Sequence, residues 1–175
     1  MGGAVAPVVV VMGVSGAGKS TVGGLLAQRL GWAFLEGDAL HPEASLVKLA
    51  AGEALDDADR APWLAAIGAW IDARQARGEA AVVACSALKR AYRDGLREGR
   101  DRIVFLHLVA PAPLIAARLR ERAGHWLPGS ILDSQLAICE PLEAGEPGVV
   151  LPAAARPEET VDPAIAALGV ALRTT

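Results

Sequence analysis

Residues 8–21 read VVVVMGVSGAGKST: five apolar residues run straight into a stretch of small ones that ends in a lysine and two hydroxyls. An unbroken β-branched run, without polar alternation, predicts a strand buried on both faces. The residues after it, from Gly13 to Ser20, satisfy G-x-x-x-x-G-K-[ST] at every required position. They also lie where that motif must lie, between a predicted strand and a helix predicted to open near Lys19. Glycines at 13, 16 and 18 let backbone N–H groups curl around an anion without side-chain clashes. The helix start adds unpaired N–H groups and the positive end of its dipole. A glycine-rich turn without a ligand is the plain alternative, and motif and context together decide against it. A nucleoside triphosphate, ATP, is therefore expected on Gly13, Ser15, Gly16, Ala17, Gly18, Lys19, Ser20 and Thr21. Lys19 would bridge the β- and γ-phosphates, and the Ser20 hydroxyl would ligate Mg²⁺.

The remaining sequence organises around this loop. Short apolar runs recur at 8–12, 32–35, 81–85, 103–109 and 149–151, with helix-like segments at 19–30, 43–50, 58–77, 88–98, 111–123, 130–140 and 157–172. Alternating strand and helix predicts an α/β fold with a parallel sheet covered on both faces. The strand order is not readable from this pattern. Pro42 and Pro111 stand where first-turn prolines usually stand. At 175 residues, 53% apolar and 21% charged, the chain suits one globular domain over 1–175.

Composition excludes several partners. A net charge of −3 recommends neither nucleic acid nor an anionic membrane. No apolar stretch approaches the ~18 residues of a membrane span, and no basic region precedes the first apolar run as in a secretory signal. Cys85 and Cys139 lie far apart in apolar surroundings and read as reduced, buried thiols, so a cytoplasmic location is expected. Asparagine is absent, so the N-K-x-D loop that reads guanine cannot occur. No strand candidate ends in the Asp-Glu pair usual in molecular ATPases. A small kinase passes both tests.

A kinase needs a group that orients and deprotonates its acceptor hydroxyl. The second strand ends in Glu36-Gly37-Asp38, and ligands gather at the carboxyl ends of parallel strands, so Asp38 is aimed at the site. It could also hold Mg²⁺ through a water. His41, before Pro42, either reaches the site or only shapes a helix start. Ser86 sits at the end of the third strand. Lys89 and Arg93, four apart, would share one helix face and suit an anionic substrate. Lys48, Asp59 and Arg60 fall in the segment where small kinases place acceptor-binding elements. Trp63 and Trp70 read as core. Arg118 and Arg122 share a helix face just before Gly124, as in a lid, roughly 120–136, that carries guanidinium to the transferring phosphoryl group.

With these residues in view the chain resembles the gluconate kinases, small P-loop kinases related to shikimate and adenylate kinases. The likeness runs through GVSGAGKST, EGDALHP, DDADRAPWL, CSALKRAYRD, RERAGHW and SQLAICEPLE, from residue 8 to about 143. It implies a five-stranded parallel sheet of order 2-3-1-4-5 with helices on both faces, and transfer of the ATP γ-phosphate to the 6-hydroxyl of D-gluconate. It also implies Asp38 as base, His41, Arg60, Ser86, Lys89 and Arg93 near the sugar acid, Arg118 near adenine, Arg122 near the phosphates, and a homodimer. The chain departs from the family at Ser45, Trp126-Leu127 and Ala154-Ala155, which bear on acceptor preference and adenine contacts. Two other readings remain at this point: a kinase for another small hydroxylated acid, such as shikimate or another aldonate, and a catalytically silent nucleotide-binding regulatory module.

Overall fold

The computed structural model describes residues 5–121, 129–153 and 156–174. Five strands, β1 (Val8–Met12), β2 (Ala33–Glu36), β3 (Ala81–Ala84), β4 (Ile103–Val109) and β5 (Gly148–Pro152), form one sheet of order β2-β3-β1-β4-β5. Every pairing is parallel; Val10, for example, stands opposite Val83 on one side and Phe105 on the other. Helices α1 (Lys19–Leu30), α2 (Glu43–Ala50), α3 (Asp57–Gln75), α4 (Arg90–Arg97), α5 (Ala112–Glu121), α6 (Gly129–Ile138) and α7 (Val161–Thr174) complete the fold.

The apolar run of β1 is continuous because both of its faces are covered. All five residues are fully buried. Val8, Val10 and Met12 point into a core with Trp63, Ile67 and Ile71 of α3. Val9 and Val11 point the other way, onto Val22 and Leu26 of α1 and Ala164 and Leu168 of α7. Alternate residues thus serve two helical layers. A third cluster of Val14, Leu88, Ile115 and Leu132 closes the sheet's carboxyl end, where the loops converge.

Two close approaches shape that end. Gly13, at φ +141°, lies so near β4 that a Cβ would stand 2.7 Å from the Leu108 carbonyl oxygen. At Gly37 a Cβ would come within 2.4 Å of the Ala84 carbonyl oxygen. Glycine is required at both, and each brings a loop against the neighbouring strand.

Helix boundaries differ from expectation in ways that matter. Pro42 caps α2 from outside, and Pro111 precedes α5. The third strand stops at Ala84, and α4 starts only at Arg90, because Ala87 takes a left-handed φ of +44° and Lys89 is extended. Lys89 and Arg93 therefore do not share a helix face. Arg93 turns inward and is fully buried. Its Nε and Nη2 donate to Glu146 at 2.6 and 2.9 Å. Its remaining N–H groups donate to the carbonyls of Ala87, Leu88, Glu140 and Pro141. A side chain whose donors are committed this fully cannot receive a substrate, which corrects the expected substrate contact at Arg93. Cys139 is only half-buried, also unlike the expectation, whereas Cys85 is sealed in the core and burial pushes its thiol up to about 12.

Burial works against the Glu146 carboxylate, but the Arg93 hydrogen bonds outweigh it and hold the group below its ordinary value. A lowered carboxylate contributes stability above its unfolded pKa and loses it as pH falls through the folded one. Arg93→Ala should therefore lower stability by about 3–5 kcal/mol, because Glu146 would remain as an uncompensated buried charge. In thermal melts that is a fall of roughly 6–20 °C. The gap between wild type and Glu146→Gln should narrow as pH drops below about 4.5. A melting shift under 2 °C for Arg93→Ala would contradict this role.

Candidate active site

The loop Gly13–Gly18 joins β1 to α1, and its three glycines all have positive φ. Gly16 backs onto α5, where a Cβ would sit 2.9 Å from Ile115 and 3.1 Å from Leu119. Gly18 caps α1 in a left-handed conformation, and Pro157 packs against it. The anion cradle is thus wedged between β4, α5 and the segment before α7, a space that side chains at these positions would fill. Lys19 and Ser20 open α1, with Thr21 in the same turn. Lys19 Nζ donates to the Val14 carbonyl at 3.0 Å, so the side chain folds back over the loop. Arg118 Nη1 donates to the carbonyls of Gly16 and Ala17 at 3.3 and 3.2 Å, which ties α5 to the loop's outer side. These residues suit a triphosphate: N–H groups at a helix start, one ammonium and one hydroxyl for a nucleotide-borne Mg²⁺. Among the described residues no cluster of three His, Cys, Asp or Glu forms a separate metal cage. Mg²⁺ beside nucleotides is held largely by phosphates and water rather than by an all-protein cage.

Beside the loop lies a cavity of about 350 Å³. Ser15 and Lys19 form its phosphate end, Asp38, His41 and Ser86 its polar wall, and Leu46, Leu49 and Leu55 its apolar wall. Asp38 belongs to a 3-10 turn, Gly37–Leu40, that continues β2. Trp63 fixes this turn, because its indole Nε1 donates to the Gly37 carbonyl at 2.8 Å. The same indole stacks on the His41 ring at 4.4 Å and an interplanar angle of 13°. Trp63 is core, as expected, and also cavity wall. His41 Nε2 stands 3.7 Å from Asp38 Oδ1. Its side chain is 8% exposed against 66% for Asp38, so the carboxylate faces solvent-accessible space while the imidazole backs it.

Arg60 lies in this cavity and in a second hollow lined by Asp57 and Lys89. Arg60 thus stands where the two hollows meet, with Leu55 and Ser134. The Arg60 side chain donates to the Tyr92 hydroxyl at 3.3 Å. That hydroxyl donates in turn to Asp57, which also takes Lys89 Nζ at 2.8 Å. The Lys89 hydrogen bond, then the Tyr92 one, hold the Asp57 carboxyl below its ordinary value. Burial and the Asp57 bond raise the Tyr92 phenol. Lys89 thus sits in the second hollow rather than the main cavity. Lys48 pairs with Asp59 at 2.7 Å, where Asp59 also completes the capping box of α3 with Asp56; that pair fastens α2 to α3.

Of the expected residues, the fold gathers Lys19, Asp38, His41, Arg60 and Ser86 around one cavity. Arg122, His125, Trp126, Leu127, Ala154 and Ala155 lie outside the described residues. So does the centre of the expected lid; its last part, from residue 129, is α6, whose Ile131 and Leu132 are buried. Sequence reasoning missed Gln135. Its Oε1 accepts the Ser15 N–H at 2.7 Å across 120 residues of chain, a contact with no local signature.

A phosphate loop whose Ser15 and Lys19 share one small cavity with Asp38, His41 and Ser86 is that of a P-loop kinase of small molecules. Residues 8–142 match the family described as AAA domain. Gluconokinase from Gluconobacter oxydans is 53% identical over 131 residues, 75% of this chain and 74% of that protein. The thermoresistant gluconokinase of Escherichia coli is 42% identical over 142 residues, covering 81% of each. A crystal structure of a gluconokinase from Sinorhizobium meliloti superposes with a TM-score of 0.86 at 43% identity, over 96% of this chain and 94% of that one. The chain belongs to the gluconokinase family.

Removing the loop's ammonium while keeping its aliphatic stem tests the phosphate end alone. Lys19→Met should cost at least ~10²-fold in turnover with an unchanged melting temperature. Turnover within threefold of wild type would remove Lys19 from the reaction.

Proposed function

We propose that the protein transfers the γ-phosphoryl group of ATP to the 6-hydroxyl of D-gluconate, giving 6-phosphogluconate and ADP. The observation that carries this reading is one cavity lined by Ser15 and Lys19 of the phosphate loop, by Asp38 and by Arg60. A linear polyol acid fits such a cavity in one sense. Its carboxylate lies toward Arg60, and the hydroxyl farthest from it meets the γ-phosphate.

In this arrangement Asp38 accepts the proton of the C6 hydroxyl as that oxygen bonds to γ-phosphorus. The bond from phosphorus to the β–γ bridging oxygen breaks, and ADP leaves with the electron pair. Lys19 neutralises the charge that builds on the phosphoryl oxygens and the leaving group. His41, held flat on Trp63, keeps the Asp38 carboxylate oriented, and Ser86 hydrogen-bonds the polyol. The Ser20 hydroxyl would hold a nucleotide-borne Mg²⁺, which would supply further charge neutralisation. Arg118 secures the loop next to the adenine side, and Arg122, immediately after the described end of α5, is the arm for the phosphates. Lys89 supports the carboxylate end indirectly, by fixing Asp57, Tyr92 and Arg60.

The Asp38 role has a direct test. Asp38→Asn keeps size and one acceptor oxygen but loses basicity, so kcat for gluconate should fall roughly 10²–10⁴-fold. ATP affinity by calorimetry should stay within about threefold, since the loop backbone, Lys19 and Ser20 carry it. Partial rescue by high Mg²⁺ would assign Asp38 to the metal rather than the proton. Turnover within tenfold of wild type would make it a turn residue. In the same coupled ADP assay gluconate should outperform shikimate and other aldonates; silence toward all of them would reject the kinase reading.

A further inference from the structure

The Ser15 N–H belongs to the phosphate loop, and Ser15 lines the cavity together with Lys19. Gln135 Oε1 takes this donor at 2.7 Å. The direction of the carboxamide is fixed by chemistry: Ser15 offers a hydrogen, so the oxygen faces it, and the two N–H donors of Nε2 remain on the other side. Gln135 itself lines the cavity, with Ile131 and Ser134 of the same helix.

Helix α6 holds this side chain in place. Ile131, one turn earlier, is buried, as is Leu132, which packs with Val14 of the loop and with Leu88. Beyond the helix the Glu140 N–H donates to the Leu88 carbonyl at 2.8 Å, and the Arg93 hub takes the Glu140 carbonyl. The Ser134 hydroxyl is turned back onto the Ile131 carbonyl at 2.8 Å, which leaves Gln135 as the polar reach of α6 toward the loop. A donor of the phosphate loop is thus held by a protein group that would have to move before a phosphate oxygen could use it.

We propose that Gln135 is a positioning residue that couples the two substrates. Its carboxamide oxygen, which holds the Ser15 N–H, yields that donor to a phosphate oxygen of the nucleotide, and the freed carboxamide then hydrogen-bonds the hydroxyls of the acceptor polyol. ATP entry frees the carboxamide that gluconate uses, so each substrate favours the other. The nucleotide half of this proposal is independent of the acceptor's identity; the acceptor half rests on the gluconate reading.

The experiment compares Gln135→Ala and Gln135→Glu with wild type, using calorimetry with a non-hydrolysable ATP analogue and steady-state kinetics with gluconate. Removing a neutral competing hydrogen bond should tighten analogue binding about three- to tenfold in Gln135→Ala, without gluconate present. Gln135→Glu places a carboxylate on the Ser15 N–H and against the phosphate, and should weaken the analogue by at least tenfold. KM for gluconate should rise at least fivefold in Gln135→Ala, and the tightening of analogue binding by gluconate seen in wild type should disappear. A purely structural Gln135 would weaken analogue binding in both variants and lower both melting temperatures, which would overturn the proposal. Equal analogue affinity in all three proteins would overturn it as well. Opposite analogue shifts with an unchanged gluconate KM would refute the acceptor half. Wild type inactive on gluconate but showing those opposite shifts would instead fault the acceptor assignment.

Discussion

The site's rear wall depends on one buried ion pair. Arg93 and Glu146 are both fully shielded from water, and the guanidinium gathers the loop after β3, the end of α6 and the approach to β5 into one set of hydrogen bonds. Burying two charges is costly, and only satisfied geometry makes such a pair tolerable. Here all of the guanidinium's nitrogens are used. The left-handed turn at Ala87, an unfavourable conformation for a residue with a side chain, is held by this network, since the Ala87 carbonyl is one of its acceptors. Ser86 and the base of α6 are consequently placed relative to the phosphate loop by a side chain whose donors are all held within the protein.

The loop itself is positioned by exclusion. Gly13, Gly16 and Gly18 have backbone angles that other residues resist, and each faces a different neighbour: Leu108, Ile115 and Pro157. The conformation that aims N–H groups at an anion is also the one that lets three elements close around the loop. The chemistry of the P-loop and the packing of the sheet's carboxyl end are therefore a single constraint.

Charge is distributed with similar economy. Lys48 is paired with Asp59, Lys89 with Asp57, and Arg93 with Glu146, so several cations near the acceptor side serve the scaffold. The two lysine pairs, both partly exposed, contribute little stability, and their value is positional. Lys48 fastens α2, whose Leu46 and Leu49 line the cavity, and Lys89 holds the carboxylate on which Tyr92 rests. Cys85, beneath the site, is kept an inert thiol by burial.

Much of this was legible in the chain of residues alone. The unbroken run at 8–12 announced a strand covered on both sides, and the spacing of Gly13, Gly18, Lys19 and Ser20 announced an anion cradle, because both depend on local backbone rules. Asp38 could be aimed at the site since strand ends in parallel sheets point one way. The strand order came from family resemblance, and pairing confirmed it. The errors arose wherever a side chain had to choose between water, substrate and protein. Lys89 and Arg93 looked equivalent at helical spacing, but a left-handed residue at 87 delayed the helix and sent one to Asp57 and the other into the core. Trp63 read as core and proved to be wall as well. Gln135 stood in the SQLAICEPLE stretch of the resemblance, but its contact was not readable there, because its partner lies 120 residues away and only the packing of α6 against the loop brings them together. Local rules determined which elements and which loop this sequence makes; long-range packing and desolvation decided which of its polar groups face the substrate.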